Sequence, residues 1–464
     1  MVFSSMVFLC IFLPMVFVLH LLLPGIRAKN AILLTASLLF YAYGEPVYVL
    51  LLLGSSLMNY ACAYVICRCP VYKKVFMALA VIGNLGVLVI FKYTGFLVET
   101  VNMISGASVS VPDIRMPIGI SFFTFQEMSY VIDVYRGVTA AQKNYAKVLL
   151  YISFFPQLIA GPIVKYHDVE KEIDRRTQTM EGICSGIRRF IAGLCKKVLI
   201  ANTMGLAADT LFQAPQAQIN AAGAWLGAIS YMLQIYFDFS GYSDMAIGLG
   251  WMFGFHFKEN FNYPYISGSI REFWRRWHIS LSGWFREYLY IPLGGNREGK
   301  TRTVINKILV FLCTGIWHGA AVNFVFWGIY HGCFLMIEEY ILAIHKPGGR
   351  IRSIFQHVYV LLAVCVGFVF FRADTMSQGI LWVKEMFTGF NRNAAAMSLA
   401  LQQLTPVYLV TLAAAVIASF PVNKKLKVKR GYEPVAYILS LVGFVLCMFS
   451  LAGGTYNPFI YFRF

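Results

Sequence analysis

The sequence predicts an all-α polytopic membrane protein. Of its 464 residues, 58% are hydrophobic and only 13% are charged, whereas globular domains average roughly 45–50% apolar and 25% charged residues. Its mean hydropathy is +0.64. The apolar residues gather in runs of about 20, the length of a helix that crosses a bilayer. These observations exclude a disordered chain and a water-soluble enzyme.

Apolar runs of spanning length follow one another at 2–23, 46–67, 75–98, 222–253, 320–344, 355–371, 404–421 and 434–452. Shorter or interrupted runs lie at 31–43, 117–135, 146–164, 183–211, 303–317 and 378–389. Short runs are typical of re-entrant or interfacial segments. We therefore predict about ten to twelve transmembrane helices, with re-entrant and interfacial helices between them. The first run has no basic residues before it, so we expect a retained helix rather than a cleaved signal peptide.

The charge of the chain is strongly basic, with 39 Lys and Arg against 22 Asp and Glu and a net charge of +17. Basic loops at 68–74, 345–352 and 422–430 are expected on the cytosolic side, because Lys and Arg collect there in membrane proteins. We prefer this topological explanation of the basic charge to nucleic-acid binding. No soluble domain interrupts the apolar runs, so residues 1–464 are predicted to form a single integral membrane domain.

The segment 270–290 has a different pattern. On a single helix, one face would carry Arg271, Arg275, Ser282 and Arg286, and the other Phe273, Trp274, Trp277, Leu281, Trp284 and Tyr288. A basic, Trp-rich amphipathic helix is typical of the membrane interface, although its basic face could also line a cavity. Glu272 is expected to pair with Arg275 or Arg276 at helical spacing.

Three of the eight histidines stand out. His318 lies among small residues in GIWHGAA, where a neutral imidazole could act as a general base or simply bond a helix carbonyl. His278 could bind an anionic group beside Arg275, or reach water at the interface. His331 is expected to make a hydrogen bond between helices. Structural roles are favoured for His20, His167, His256, His345 and His357.

Other catalytic machinery is missing from the sequence. It has no G-x-S-x-G nucleophile elbow, no H-E-x-x-H motif and no C-x-x-C motif, so a serine hydrolase or a zinc enzyme is not expected. A phosphate-binding loop of the nucleotide-binding type is not expected either. No metal site and no tightly bound cofactor are predicted. Four acids in apolar surroundings could relay protons, but structural pairing is favoured: Glu127, Asp133, Asp238 and Asp244.

Several stretches together resemble one family. They are FFPQLIAGPIVKY (154–166), DFSGYSDMAIGLGWMFGF (238–255), NFNYPYISGSIREFWRRWHISLSGWFREYLYIPLGGNR (260–297), GIWHGAAVNFVFWGIYHG (315–332), FVFFRADTMSQGI (368–380) and the closing NPFIYFRF (457–464). The chain resembles the membrane-bound O-acyltransferases (MBOAT), and within them the bacterial alginate O-acetylase-like branch. The motif-bearing core is 154–380, and the block at 260–297 makes the likeness specific.

The resemblance implies that His318 is the catalytic histidine of the W-H-G motif and that His278 is the second motif histidine. It implies a ring of tilted helices around a central funnel, in a bacterial cytoplasmic membrane. It also implies that an acyl thioester donor arrives from the cytosol, that a cell-envelope polymer is the acceptor and that an extracytoplasmic partner protein takes part. Candidate donor-binding or substrate-binding residues are Arg275, Arg276, Trp317 and Asn323, with packing as the alternative for Asn323.

The predicted function is therefore O-acyl transfer, with acetyl as the preferred group, to a polysaccharide or another envelope polymer. Three alternatives remain at this point. The first is D-alanyl transfer from a carrier protein to teichoic acid, which uses the same motifs. The second is a membrane transporter with embedded histidines and acids, although no internal repeat supports it. The third is a non-catalytic membrane scaffold.

Overall fold

The computed structural model describes residues 1–342, 349–390, 394–422, 432–454 and 456–458. The described residues are helical or irregular, and they contain no strand. This confirms the predicted all-α class. The predicted features that lie outside the described residues are His345, part of the basic loop at 345–352, residues 423–430 of the last basic loop, and residues 459–464 of the closing stretch.

The chain separates into two compact units, residues 1–190 with 243–259 and residues 191–242 with 260–464. Both motif histidines, His278 and His318, belong to the second unit. The single domain over 1–464 stays a prediction.

The first unit is built from helices that follow the early apolar runs. They are α1 (Leu13–Leu22), α2 (Ile26–Gly44), α3 (Val49–Arg68), α4 (Lys73–Leu88), α5 (Thr94–Ser105), α6 (Ile120–Arg136), α7 (Tyr145–Ser153), α8 (Phe155–Leu158), α9 (Tyr166–Asp174) and most of α10 (Met180–Cys195). Phenylalanine rings form its centre, where Phe8, Phe12, Phe40 and Phe155 lie in mutual contact. Such rings bury large apolar areas, so this cluster holds α2 and α8 against the π-helical segment Phe8–Phe12, which leads into α1.

The second unit carries the motifs. Its helices are α11 (Asn202–Gln213), most of α12 (Ala221–Phe253), α13 (Ile270–Arg276), α14 (Ile279–Phe285), α15 (Gly299–His318), α16 (Val322–Ile337), α17 (Arg350–Arg372), α18 (Met376–Thr388), α19 (Ala394–Gln403), α20 (Pro406–Ala418) and α21 (Tyr432–Ala452). Short π-helical segments follow α10, α14 and α16, at Lys196–Ala201, Arg286–Tyr290 and Glu338–Leu342. One continuous apolar core joins α11, α12, α13, α16 and α17.

Five helices among the described residues are long and apolar enough to cross a membrane: Val49–Arg68, Pro70–Ser105, Met180–Gln213, Arg350–Arg372 and Glu433–Ala452. A sixth results if α19 and α20, which meet at a bend of 66°, count as one broken span. The chain is thus a helical protein with several membrane-spanning candidates, and the larger count of ten to twelve spans stays a prediction.

The four acids of the apolar segments have polar partners, as the structural interpretation predicts. The Glu127 carboxyl accepts hydrogen bonds from Ser55 and Asn59. The other three form ion pairs or histidine contacts: Asp133 with His167, Asp238 with Lys197, and Asp244 with Arg189. Buried charged groups are normally paired in this way, because an unpaired charge away from water is costly.

The prediction of one continuous helix over 270–290 is wrong. The chain leaves the helix at Trp277, and His278 takes a left-handed conformation with φ of 42° and ψ of 56° before α14 begins. The predicted division into faces nevertheless holds, since all six residues of the predicted apolar face are buried and Arg271, Arg275 and Arg286 are exposed. Burial of the aromatic side chains therefore determines the arrangement, and the break redirects the chain.

Glycines allow α15 and α16 to pack with their backbones in contact. A Cβ atom at Gly315 would collide with the carbonyl oxygen of Phe324, and one at Gly328 would collide with that of Phe311. Small residues at a helix crossing permit this approach. The hairpin that results fixes the position of His318, the last residue of α15.

Candidate active site

His318 lies at the carboxyl end of α15 and is buried, with 7% of its surface exposed. Three aromatic rings surround it, and their centroids lie 4.9 Å (Trp317), 5.2 Å (Trp327) and 5.1 Å (Phe371) from its own. Each ring is steeply inclined to the imidazole, at 74° to 86°. The helices α15, α16 and α17 each supply one of these rings, so the surroundings of His318 are a product of tertiary packing.

The end of a helix suits a histidine that gains a proton. The carboxyl end of a helix carries a partial negative charge, which stabilises a nearby cation by roughly 0.3–1 kcal/mol at exposed positions and by up to ~2 kcal/mol in partly buried geometries. His318 is in the last turn of α15. The dipole of α15 would therefore stabilise the imidazolium that forms when His318 accepts a proton.

His278 occupies the break between α13 and α14. It is 1% exposed and is one of two non-glycine residues with positive φ among the described residues. A left-handed conformation is uncommon for a residue with a side chain, although histidine adopts it more often than most. Sparsely populated backbone conformations cluster at functional sites. The conformation and the motif thus single out the same residue.

The two nitrogens of His278 have different surroundings. Nδ1 lies 3.2 Å from Oδ1 of Asn260, whereas Nε2 is buried without a hydrogen-bond partner among the described residues. Phe239 packs edge-to-face on the imidazole at 4.6 Å between centroids. Burial lowers the pKa of His278 to about 3. The side chain is therefore a neutral imidazole near neutral pH.

Trp317 connects the two histidines. Its indole lies 4.9 Å from the ring of His318 and 6.2 Å from that of His278, measured between centroids. The structure thus places both motif histidines and Trp317 in one aromatic cluster of the second unit. Their catalytic and binding roles stay predictions.

Asn323, another of the predicted binding residues, makes hydrogen bonds to the backbone. The Asn323 amide donates hydrogen bonds to the carbonyl oxygens of Phe370 and Ala373, at 3.2 and 2.7 Å. These bonds fasten the carboxyl end of α17 to α16, which agrees with the packing alternative for Asn323.

The two candidate arginines differ in exposure. Arg276 forms the expected helical pair with Glu272, at 2.8 Å, and also donates to the carbonyl oxygen of Asn262. Arg275 is exposed. Of these two residues, Arg275 is therefore the one whose side chain is presented to solvent or to a ligand.

The expected hydrogen bond from His331 between helices is wrong. Neither ring nitrogen has a hydrogen-bond partner among the described residues. The ring instead packs against Trp274 and Trp327, at 5.1 and 5.0 Å between centroids. Its Nε2 lies so close to Gly367 that a Cβ there would be 2.8 Å away. Aromatic packing, made possible by a glycine on α17, replaces the predicted bond.

The expectation that the sequence has no phosphate-binding loop is wrong as regards spacing, because residues 294–301 have the pattern G-x-x-x-x-G-K-T. In nucleotide-binding proteins that loop follows a strand, whereas here it follows the π-helical segment Arg286–Tyr290. The Glu298 carboxyl also packs against Gly294, and its negative charge would repel a phosphate. The spacing therefore does not predict a nucleotide-binding site.

Sequence reasoning missed several contacts of the site. Asn260, Phe239, Trp327 and Phe371 touch the motif histidines from elsewhere in the chain. All four lie in the stretches that carry the family resemblance, but the sequence does not show which residues of those stretches meet the histidines, because each contact depends on how the helices pack. The described residues also contain no group of three His, Cys, Asp or Glu side chains that could hold a metal ion.

Comparisons with known proteins identify the family of the chain. The family described as "MBOAT, membrane-bound O-acyltransferase family" matches residues 139–371, which include both histidines. A protein of Pseudomonas putida named "Probable alginate O-acetylase AlgI" is 39% identical, with 100% of both chains covered. Its namesake in Azotobacter vinelandii is 43% identical over 90% of this chain and 84% of its own. The "Peptidoglycan O-acetyltransferase" of Helicobacter pylori is 36% identical over 83% of this chain and 80% of its own. The chain belongs to the membrane-bound O-acyltransferase family of enzymes.

Proposed function

We propose that this enzyme moves an acetyl group from a cytosolic thioester donor to a hydroxyl of an extracytoplasmic polysaccharide or another cell-envelope polymer. Family membership and the names of the O-acetylating relatives support the reaction class. The observation that carries the proposal is His318, a buried imidazole at a helix end, walled by Trp317, Trp327 and Phe371.

His318 acts as the general base in the proposed reaction. It takes the proton of the acceptor hydroxyl while the hydroxyl oxygen attacks the thioester carbonyl. The C–O bond forms, the C–S bond breaks, and the proton passes to the departing thiolate, which leaves as a free thiol. General-base catalysis contributes about 10²–10⁴-fold, and holding both reactants in place contributes further. The hydroxyl belongs either to the polymer or to an intermediary carrier.

His278 and Arg275 are proposed to orient the reactants. His278 is buried in the same aromatic cluster, and its Nε2 has no hydrogen-bond partner among the described residues. Arg275 is exposed, and a guanidinium binds phosphate through paired hydrogen bonds, so Arg275 is assigned to the phosphates of the donor. Arg276 supports this segment through Glu272 rather than binding the donor directly.

We place the enzyme in the cytoplasmic membrane of a bacterium as a multi-pass protein. Ten to twelve helices would form a ring of tilted helices around a funnel, with the donor reaching His318 from the cytosol and the acceptor from the other side. A partner protein outside the membrane would complete transfer to the polymer. The thioester is a substrate, and no tightly bound cofactor is required for this chemistry.

The test uses inside-out membrane vesicles that contain the full chain and its candidate partner. Acetyl-labelled acetyl-CoA is added to the exposed cytosolic face, and label is followed into the envelope polymer. A parallel sample receives labelled D-alanine on its carrier protein. Vesicles without the chain provide the background.

The expected result is label in the polymer from acetyl-CoA and only background label from the D-alanyl carrier. Label from the D-alanyl carrier alone would replace the acetyl assignment with the D-alanyl alternative. Polymer that crosses the membrane without gaining an acyl group would support the transporter instead. No label from either donor would overturn the proposed reaction.

A further inference from the structure

The side-chain oxygen of Asn260 makes three hydrogen bonds. Its Oδ1 lies 3.2 Å from Nδ1 of His278, 3.2 Å from the backbone nitrogen of Ser280 and 2.8 Å from Oγ of Ser280. The backbone of Asn260 takes part as well, since its carbonyl accepts from the Ile279 amide at 2.9 Å. Asn260 is itself 1% exposed, so these contacts form a buried brace around the break between α13 and α14.

The contact with Ser280 settles which end of the amide faces His278. A backbone N–H can only donate a hydrogen bond, so the Asn260 atom that meets Ser280 N must be the carbonyl oxygen and cannot be the NH₂ group. That same oxygen meets Nδ1 of His278. Because an amide oxygen only accepts, Nδ1 must carry the proton and donate it to Asn260.

The protonation of Nδ1 determines what Nε2 can do. In a neutral imidazole one nitrogen is a donor and the other an acceptor. With the proton on Nδ1, Nε2 presents a lone pair, and it has no hydrogen-bond partner among the described residues. A buried acceptor without a partner is unfavourable, so a ligand that donates a hydrogen bond to Nε2 would relieve that cost.

We infer that Asn260 is a positioning residue that holds His278 as the Nδ1–H tautomer, so that Nε2 accepts a hydrogen bond from a hydroxyl of the acyl acceptor. This inference rests on the proposed function for the identity of the ligand. A thioester carbonyl offers only acceptor atoms, and Nε2 in this tautomer has no proton to give it. His278 therefore faces the hydroxyl-bearing substrate, while the thioester is bound by other groups.

The left-handed backbone of His278 supports the assignment. The residue has φ of 42°, a sparsely populated conformation that persists only where the surroundings enforce it. The Ile279 and Ser280 contacts to Asn260 follow directly after His278. One asparagine thus fixes both the backbone turn and the tautomer of the imidazole.

The tautomer can be measured without an activity assay. The full-length protein is prepared in detergent with ¹⁵N-labelled histidine, and the His278 signals are identified by their loss in His278→Gln. We expect a protonated Nδ1 and an unprotonated Nε2 in the wild type at neutral pH. In Asn260→Leu, which removes the oxygen, the proton should be distributed over both nitrogens. A protonated Nε2 in the wild type, or an unchanged spectrum in Asn260→Leu, would overturn the inference.

Kinetics on the same variants test the assignment to the acceptor. Asn260→Leu should lower kcat or raise the KM for the acceptor, with an overall loss of about 10–100-fold, a range typical of lost orienting hydrogen bonds. The KM for the thioester should stay unchanged. Ser280→Ala is the matched control, because it removes another donor to the same oxygen without affecting Nδ1, and it should stay within about threefold of wild type.

The variant Asn260→Asp distinguishes a role of Asn260 in positioning His278 from a purely structural role. It keeps the oxygen that accepts from Nδ1, and its negative charge favours the imidazolium. We expect it to recover most of the activity lost in Asn260→Leu and to move the acid limb of the pH–rate profile to higher pH. Equal losses in both variants with an unmoved profile would contradict a positioning role.

The outcomes also distinguish this inference from the proposed function. The expected NMR spectra together with no acyl transfer by the wild type would support the tautomer and overturn the proposed function. Acyl transfer with an increased thioester KM in Asn260→Leu would support the proposed function and overturn the assignment of His278 to the acceptor.

Discussion

Gly315→Ala should displace His318 without altering the imidazole itself. The added Cβ would overlap the carbonyl oxygen of Phe324 and lie 3.2 Å from Cα of Gly328. For these atoms to regain ordinary van der Waals contact, α15 and α16 must separate by about 1 Å at their crossing. His318 lies one turn after Gly315, at the end of α15. The separation of the two helices therefore moves His318 away from Trp327 on α16.

The expected magnitudes follow from that displacement. Overpacking of this kind costs roughly 1–3 kcal/mol of stability, and a shift of about 1 Å in a reacting group can lower the rate about 100-fold. The measurements are the thermal unfolding midpoint in detergent and the rate of acetyl transfer at matched protein levels. We expect Gly315→Ala to lower both.

Gly283→Ala is the matched control for this experiment. Gly283 lies in α14 of the same unit, and a Cβ added there meets no atom within 4 Å. This variant should keep its activity and unfold within about 1 kcal/mol of wild type, since alanine favours a helix over glycine by about that amount. If Gly315→Ala behaved like Gly283→Ala, the close packing of α15 and α16 would not be what positions His318.

Further predictions concern charge and pH. Arg275→Glu should raise the KM for the thioester about tenfold, as expected for loss of about 1.4 kcal/mol of binding; an unchanged KM would remove Arg275 from the donor site. Lys197→Met should lower stability by about 3–5 kcal/mol, because it removes the cation 2.8 Å from the buried carboxylate of Asp238. The double variant Lys197→Met, Asp238→Leu should recover most of that loss in a thermal unfolding assay, and a double variant as unstable as the single one would count against the ion pair. His278, with its pKa lowered to about 3, should make the protein less stable as the pH falls from about 6.5 towards 3, since over that range only the unfolded chain binds the proton. His278→Gln should therefore flatten the fall in unfolding midpoint between about pH 7.5 and pH 5.5, and equal slopes in the two proteins would contradict a buried neutral imidazole.

The sequence predicts the all-helical class and the burial of the aromatic residues in 270–290, because both depend on hydrophobic pattern alone. It also predicts close packing around His318, since Gly315 and Gly319 stand beside it. These three features can be predicted from composition and local spacing, because none of them depends on which helices become neighbours.

The details of the site depend on contacts between distant segments. Asn260 reaches His278 across 18 residues, and Phe371 reaches His318 from α17. The helix break at His278 has no glycine or proline to mark it, so a helical pattern with a continuous apolar face hides it. His331 shows the same limit, because a histidine in an apolar helix suggests a hydrogen bond, whereas its neighbours prove to be aromatic rings.

The central claim is that His318 is the general base of acyl transfer. The most direct test compares wild type, His318→Ala and His318→Gln in membranes with the partner protein, at matched expression, by following label from acetyl-CoA into the envelope polymer. His256→Ala, which removes an exposed histidine, is the control. We expect wild-type and His256→Ala membranes to label the polymer equally, and both His318 variants to lose about 10²–10⁴-fold. Undiminished label in His318→Ala would contradict the account.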